Sequence, residues 1–274
     1  MVSTITSKKE RTNGPTEIPK PPLKWAGGKR WLVPSLKNLW RPFSNRRYLE
    51  PFCGGLAAAL GITPTEAILN DINPHLINFY QQLKSGLRVQ IEMRNDEQLY
   101  YQHRERFNQL IRNQQTKSSE TAQLFYYLNR TCFNGLCRFN QSGEFNVPFG
   151  TYSTINYETN FDRYIGALKF WDFTNLDVAG LSFAPGDFVY ADPPYDVEFT
   201  SYSAGGFSWN DQVRTAELLA EHNGPVVISN QATSRVVALY KNLGFELTYL
   251  DAPRRISCTG DRSTAKEVLA TRNI

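Results

Sequence analysis

Long apolar runs are missing from this sequence, and its first 20 residues contain no apolar core. A membrane-spanning helix needs about 20 consecutive apolar residues, and a secretory signal needs a central apolar region. The chain instead starts with a polar leader, residues 1–20, followed at once by two prolines. We therefore expect a cytoplasmic protein with no membrane partner.

Cysteine is scarce, and no C-x-x-C pair occurs among Cys53, Cys132, Cys137 and Cys258. This spacing argues against a zinc site, and the lack of a secretory signal favours reduced thiols, so we expect no metal. A strong charge imbalance is missing too, since 30 basic residues less 26 acidic ones give a net charge of +4. That excess is only a weak indication of a polyanionic partner.

Two nucleotide-binding patterns are also absent. The chain lacks G-x-G-x-x-G, which argues against NAD. The stretch "KWAGGKR", residues 24–30, fails as a phosphate loop because Leu23 and Arg30 stand where a glycine and a Ser or Thr are required. It fits a simple surface turn, or a turn that covers a small ligand with a ring, backbone amides and one cation.

What is present is an alternation of short apolar runs with helical patterns. The runs that predict strands are "RRYLEPF", "EAILND", "FVYADPP" and "PVVISNQ". The patterns that predict helices are "GGLAAALG", "WNDQVRTAELLAEH" and "TSRVVALYKNLGF". This order predicts an α/β fold whose parallel sheet is covered on both faces. Such sheets bind ligands beyond the carboxyl ends of their strands.

The middle of the chain has a different composition. Residues 76–130 predict helices, and "CFNGLCRFNQSGEFNVPFG", residues 132–150, predicts a loop or hairpin punctuated by Gly and Asn. We therefore predict that residues 76–150 form an inserted, mainly helical subdomain that carries a hairpin recognition loop. The main domain then consists of residues 21–75 and 151–274.

Two predicted strand ends carry residues suited to a small ligand. Gly54 and Gly55 follow the first strand, where glycine lets a ligand approach the backbone closely. Asp71 closes the next strand, at about the separation at which an acid holds a ribose. A glycine turn needed only for helix packing explains the pattern equally well, so both interpretations stay open.

The stretch "VYADPPYD", residues 189–196, places two prolines between an acid and an aromatic ring. The prolines stiffen the backbone, and the carboxylate of Asp192 and the carbonyl of Pro193 can converge on one amino group. The ring of Tyr195 offers a face for stacking. Two acceptors on an exocyclic amine make its nitrogen more nucleophilic, so this frame suits a nucleobase that has been flipped out of its stack.

The stretches "KWAGGK", "EPFCGG", "ILNDIN", "YLNRTCFNGLCRFNQSGEFNVPFG" and "YADPPY" together resemble the Dam-type DNA adenine methyltransferases, a group of the amino-methyltransferases. With "RRISCTGDRSTAKEVLA", the resemblance extends from about residue 21 to the C-terminus. It implies a Rossmann-like methyltransferase fold, S-adenosyl-L-methionine as donor, base flipping, and GATC in double-stranded DNA as the usual target. No obligate protein partner is implied.

The resemblance assigns residues to the donor site and the catalytic motif. Those matched to the donor site are Trp25, Ala26, Gly27, Lys29, Glu50, Phe52, Gly54, Asp71 and Asp192. Those matched to the catalytic motif are Asp192, Pro193, Pro194 and Tyr195. Within the donor site, Glu50, Phe52 and Gly54 resemble the methionine side, and Asp71 resembles the ribose ligand.

The resemblance also implies a set of residues that face DNA: Lys24, Phe133, Asn134, Leu136, Arg138 and Pro148. Arg138 suits a bidentate contact to guanine, and Leu136 and Pro148 suit a thymine methyl group. Phe133 suits the wedge that fills the place of the departing adenine. Arg254 and Arg255 are candidates for phosphate contacts.

The chain departs from the family pattern at Leu56, where many relatives have glycine, and in the length of its leader. Three alternatives to a GATC enzyme stay open: a catalytically inactive DNA-binding regulator, an adenine enzyme with another target, and a methyltransferase acting on RNA or a small molecule. The intact Asp192, Tyr195 and Asp71 argue against the first, and the long recognition loop argues against the third. No Pro-Cys pair is present, so transfer without a covalent enzyme–base intermediate is implied.

Overall fold

The computed structural model describes residues 19–195, 206–252 and 265–274. Within these ranges seven strands form one sheet in the order β3-β2-β1-β4-β5-β7-β6. The strands are β1 (Tyr48–Glu50), β2 (Ala67–Asn70), β3 (Trp171–Thr174), β4 (Phe188–Ala191), β5 (Val226–Gln231), β6 (Glu246–Ala252) and β7 (Ala265–Arg272). The first five strands pair in parallel, and β7 pairs antiparallel with both β5 and β6.

The helices in the same ranges are α1 (Val33–Trp40), α2 (Ala57–Ile62), α3 (Pro74–Lys84), α4 (Glu97–Arg112), α5 (Ser119–Thr131), α6 (Asp162–Leu168), α7 (Trp209–Ala220) and α8 (Ser234–Asn242). Side-chain oxygens of Asn73, Asp96, Ser118, Ser208 and Thr233 cap the starts of five of them. These residue types accept hydrogen bonds from backbone N–H groups that a helix start leaves unpaired, so the capping residue favours a helix start at its own position.

The predicted α/β fold is confirmed, and all four predicted strands and three predicted helices are present. The strands alternate their side chains between two buried faces: Tyr48 and Tyr190 lie in one apolar cluster, and Leu49 and Val189 lie in the other. Helices therefore cover both faces, as a parallel sheet requires. None of the helices in the described ranges combines the length and the apolar character that a membrane crossing requires.

The region predicted as an insertion contains α4, α5 and most of α3. The proposed boundary at residue 76 falls inside α3, whose buried Phe79 and Leu83 share an apolar cluster with Tyr48 of β1 and Phe125 of α5. The helices of this region thus extend the core of the sheet. The division into a main domain and a recognition subdomain stays a prediction.

Candidate active site

A cavity of about 310 Å³ lies at the carboxyl ends of β1, β2 and β4. It is lined by every residue predicted for the donor site or the catalytic motif, which together are Trp25, Ala26, Gly27, Lys29, Glu50, Phe52, Gly54, Asp71, Asp192, Pro193, Pro194 and Tyr195. Parallel strands bring their ends to one edge of a sheet, which explains how residues so far apart in sequence reach one cavity.

Trp25 explains why glycines follow β1. A Cβ atom on Gly54 would lie 2.7 Å from the indole Nε1 of Trp25, and one on Gly55 would lie 2.7 Å from the Cβ of Trp25. Leu56, the position where many relatives have glycine, adopts a left-handed conformation with a φ of 61°. The turn thus keeps the backbone shape that glycine favours, although a buried leucine occupies it.

Asp71 lies at the end of β2, with both carboxylate oxygens engaged. Oδ2 accepts a hydrogen bond from the backbone N–H of Gly54 at 3.1 Å, and Oδ1 accepts one from Asn73 at 3.0 Å. Loss of hydration at this site raises the pKa of Asp71 to about 6, although these two hydrogen bonds oppose the shift. Asp71 therefore gains its proton at a higher pH than an ordinary aspartate does.

Glu50 closes β1 and is almost completely buried. Its Oε2 accepts a hydrogen bond from the hydroxyl of Tyr48 at 3.0 Å. Burial raises the pKa of Glu50 well above its ordinary value, and the negative charges of Asp192 and Asp71 add to the shift. A cation beside Glu50 would offset the cost of ionising it.

Asp192 and Tyr195 meet the ammonium of Lys29, which is 4% exposed. The Nζ atom of Lys29 lies 2.8 Å from Oδ1 of Asp192 and donates to the hydroxyl of Tyr195 at 2.7 Å and to the carbonyl of Gly27 at 3.3 Å. Lys29, predicted as a wall of the donor site, thus also contacts the catalytic motif directly.

The two carboxylate oxygens of Asp192 differ. Oδ1 receives the Lys29 ammonium and a hydrogen bond from the hydroxyl of Ser229 at 2.9 Å. Within the described part of the chain no group donates to Oδ2, and the side chain, 19% exposed, lines the cavity. The arrangement holds one oxygen in place and leaves the other to accept a hydrogen bond from a ligand.

The two prolines of the motif also differ. The carbonyl of Pro194 accepts a hydrogen bond from Gln212 of α7 at 2.5 Å, and Gln212 accepts one in turn from Asn230 of β5 at 3.1 Å. The carbonyl of Pro193 receives no donor from the described residues. The motif is thus braced from α7 and β5, with the Pro193 carbonyl left as a second acceptor.

Sequence reasoning missed the residues that stand behind this motif. Ser229 and Gln212 hold it as described, and Glu267 of β7 accepts a hydrogen bond from the Tyr195 hydroxyl. For Ser229 and Glu267 the signal was a polar residue inside the runs "VVISNQ" and "KEVLA", whereas Gln212 of α7 had no such signal. Further cavity residues that were missed are Leu176, Asp177, Val178, Phe207, Asp211 and Arg214.

The predicted recognition loop is a hairpin. Antiparallel bridges join Cys132 to Phe149 and Phe139 to Phe145. The rings of Phe139 and Phe145, which flank the turn of the hairpin, pack on His75 and Phe107, respectively, so this end of the hairpin belongs to the core. Other positions of the hairpin, by contrast, are exposed to solvent.

The residues predicted to face DNA lie together on this hairpin. Phe133 is 49% exposed, Asn134, Arg138 and Pro148 are exposed, and Leu136 is half-buried. The Nε atom of Arg138 donates to the Asn146 side chain at 2.8 Å, which aligns the guanidinium while leaving it accessible. Arg254 and Arg255 lie outside the described residues.

Lys24 lies beside the hairpin. Its ammonium donates to the carbonyl of Arg130 at 3.0 Å and sits 3.7 Å from the centre of the Tyr152 ring. The Asn129 side chain accepts from the Lys24 backbone N–H at 2.9 Å and donates to its carbonyl at 2.8 Å. Burial, reinforced by the charge of Arg130, lowers the pKa of Lys24. Asn129 was missed, and it ties Lys24, which precedes the Trp25 turn, to α5.

Comparison with known proteins gives consistent matches. A family model for D12 class N6 adenine-specific DNA methyltransferases matches residues 25–256. Retron Ec67 DNA adenine methylase of Escherichia coli is 34% identical over 262 residues, 90% of each chain. DNA adenine methylase of Escherichia coli K12 is 35% identical over 273 residues, 90% of this chain and 93% of its own. Type II methyltransferase M1.LlaDCHI of Lactococcus lactis subsp. cremoris is 32% identical over 273 residues, 92% of this chain and 95% of its own.

Proposed function

Because this chain belongs to the D12 class N6 adenine-specific DNA methyltransferases, we propose that it transfers a methyl group from S-adenosylmethionine to adenine within GATC in double-stranded DNA. Family membership makes it an enzyme that uses a methyl donor and acts on adenine in DNA. The donor, the target sequence and the residue roles are the proposal. The observation that carries it is the Asp192 carboxylate, with one oxygen held and the other open to the cavity that also contains Asp71 and Glu50.

The residues around the cavity fit S-adenosylmethionine, which supplies an electrophilic methyl group when bound. Asp71 can accept hydrogen bonds from ribose hydroxyls, and the buried Glu50 can accept an ammonium, whose charge would favour the ionised carboxylate. A Cβ on Gly27 would meet nothing within 4 Å, so the backbone of this turn has room beside it for a ligand. The Trp25 indole supplies an apolar wall.

In the transfer step Asp192 and Pro193 act on the amine of adenine. Oδ2 of Asp192 accepts one amine hydrogen and the Pro193 carbonyl accepts the other, which draws the nitrogen toward a pyramidal, nucleophilic geometry. Lys29 and Ser229 keep Oδ1 occupied, so the carboxylate does not rotate away. The Tyr195 ring holds the plane of the flipped base.

Recognition of the target is assigned to residues 76–150 and to Lys24, and catalysis to residues 21–75 and 151–274. The exposure of the hairpin supports contacts from Arg138 to a guanine and from Leu136 and Pro148 to a thymine methyl. Phe133 fills the space of the flipped adenine, next to Asn134. Lys24 reads a further base, and Arg254 and Arg255 contact phosphates.

The test is methyl transfer from labelled S-adenosylmethionine to two duplexes, one with a single GATC and one with those bases scrambled, followed by nucleoside analysis. The proposal predicts methyladenine in the GATC duplex alone. Methyladenine in both duplexes would keep the donor and the base but overturn the specificity assigned to the hairpin. Tight DNA binding without methylation of either duplex would favour a binding protein or an enzyme with another target sequence.

A further inference from the structure

We propose that Glu267 is a positioning residue for methyl transfer, which holds the hydroxyl of Tyr195 and, through it, the Lys29 ammonium against Asp192. The proposal rests on the proposed function, because it assumes that Asp192 and Tyr195 act on the flipped adenine. It adds a residue from β7, a strand that sequence reasoning did not predict.

The geometry fixes the Tyr195 hydroxyl from two sides. It donates its hydrogen to Oε1 of Glu267 and accepts a hydrogen bond from Lys29 at 2.7 Å. The same Oε1 lies 3.9 Å from Nζ of Lys29. A phenol with both its hydrogen and its lone pair committed cannot turn its hydroxyl without breaking a bond.

Glu267 is buried where an ionised carboxylate loses the hydration that stabilises its charge. It is 5% exposed, stands next to the buried Val268, and pairs with Gln231 of β5 and Leu250 of β6. Its Oε2 is buried and has no hydrogen-bond partner in the described part of the chain. Burial raises its pKa, and Lys29 opposes that shift. An unsatisfied buried polar atom calls for an explanation, and an apolar residue would fill this strand position at less cost.

The contacts of Glu267 with Tyr195 and Lys29 explain why a carboxylate is present at this buried position. Glu267 does not line the cavity, so it touches neither donor nor base, and its effect must pass through Tyr195 and Lys29. Holding Tyr195 fixes the ring that the flipped base packs on. Holding Lys29 keeps Oδ1 of Asp192 occupied and Oδ2 available.

The experiment is a double-mutant cycle on the full chain that combines Glu267→Ala with Tyr195→Phe. Single-turnover rates of adenine methylation are measured in unmethylated plasmid DNA, which avoids assuming GATC. Glu267→Gln retains an oxygen that accepts from Tyr195 and serves as the conservative variant. Glu246→Ala removes an exposed glutamate from β6 and serves as the matched control.

We expect each single variant to lower the rate about tenfold, as the loss of one buried hydrogen bond does, with donor and DNA affinities within about threefold of wild type. The double variant should also be about tenfold slower, whereas independent effects would give about a hundredfold. Glu267→Gln should stay within about threefold of wild type, and Glu246→Ala should match wild type.

Additive losses in the cycle, a Glu267→Gln variant as slow as Glu267→Ala, or a wild-type rate in Glu267→Ala would each overturn the positioning role. Because contacting residues also couple in folding stability, the rates are compared at a temperature at which thermal denaturation shows every variant to be fully folded. A wild-type chain that methylates no adenine in plasmid DNA would overturn the proposed function itself. An active wild type with an additive cycle would overturn the role of Glu267 alone.

Discussion

The motif proposed for catalysis and the hairpin proposed for recognition differ in how their side chains are held. The ammonium of Lys29 is buried and its three hydrogens have three acceptors, so groups of the protein itself hold this cluster in place. In the hairpin, by contrast, the rings of Phe139 and Phe145 beside the turn pack in the core, while Phe133 and Arg138 are exposed. Groups that stabilise a transition state must be preorganised, whereas groups that read DNA must be free to meet it.

Among the substitutions considered, one in the proposed catalytic motif should lower the rate of methyl transfer most. Asp192→Asn should lower the single-turnover rate by about 100- to 1000-fold, because either orientation of the amide turns its NH₂ toward the adenine amine or toward Lys29. Donor affinity, measured by calorimetry, should stay within about threefold of wild type. Asp251→Asn, which alters an exposed carboxylate on β6, is the control and should leave the rate unchanged. Turnover near wild type in Asp192→Asn would contradict the mechanism.

A substitution in the hairpin should have the next largest effect, on the preference for GATC. Arg138→Ala should reduce discrimination between GATC and its single-base variants by about 1–3 kcal/mol, because a bidentate contact to guanine is lost. The comparison is made from kcat/KM values on each duplex. Arg106→Ala removes another exposed arginine, one paired with Glu120 between α4 and α5, and should leave the preference unchanged. An unaltered preference in Arg138→Ala would refute the assignment.

The affinity of the cavity for the methyl donor should depend on pH through Asp71. Its pKa is raised to about 6, so the carboxyl gains a proton as the pH falls through that value. The protonated form accepts hydrogen bonds from ribose hydroxyls less well, so Asp71 should weaken donor affinity below about pH 6 by at most about tenfold per unit. This loss adds to the one that protonation of Glu50, whose pKa is also raised, causes in wild type and in Asp71→Asn alike. Titration calorimetry on wild type and Asp71→Asn checks this, since the asparagine variant should bind weakly without the part of the pH dependence that Asp71 causes. Equal wild-type affinity at about pH 5 and 8 would contradict it.

A substitution beside Lys24 should change base preference least. Lys24 is proposed to read a base, as the hairpin residues are, but its ammonium is held by the Arg130 carbonyl and the Tyr152 ring. Tyr152→Leu removes the ring beside its ammonium and should weaken the base preference assigned to Lys24 by about 0.5–1 kcal/mol, the usual contribution of such a contact near the surface. Tyr152→Phe keeps the ring but loses the hydroxyl bond to the Cys132 carbonyl, and should retain the preference. Competition between paired duplexes measures both, and equal losses in the two variants would exclude the ring contact as the cause.

The same contrast shows what the sequence could predict. The motif around Asp192 and the turn at Gly54 are contiguous strings at strand ends, so local pattern was sufficient to find them and to expect one cavity. The contacts among Lys29, Asp192 and Glu267 join residues that are distant in sequence, and they depend on β7 pairing beside β5, which no local pattern encodes. The exposed β6 was missed because it shows no clear two-residue alternation. The alternation in β3 is clear but spans only four residues, so it was missed for its shortness.

In the proposed mechanism, two acceptors held by the protein, Oδ2 of Asp192 and the carbonyl of Pro193, receive the amine of a flipped adenine. The most direct measurement is a crystal structure of the chain with a GATC duplex and a non-reactive analogue of S-adenosylmethionine. We expect the adenine outside the helix, with its amine nitrogen about 2.6–3.2 Å from both oxygens and its ring on Tyr195. An adenine still stacked in the duplex, or an amine turned away from Asp192, would contradict it.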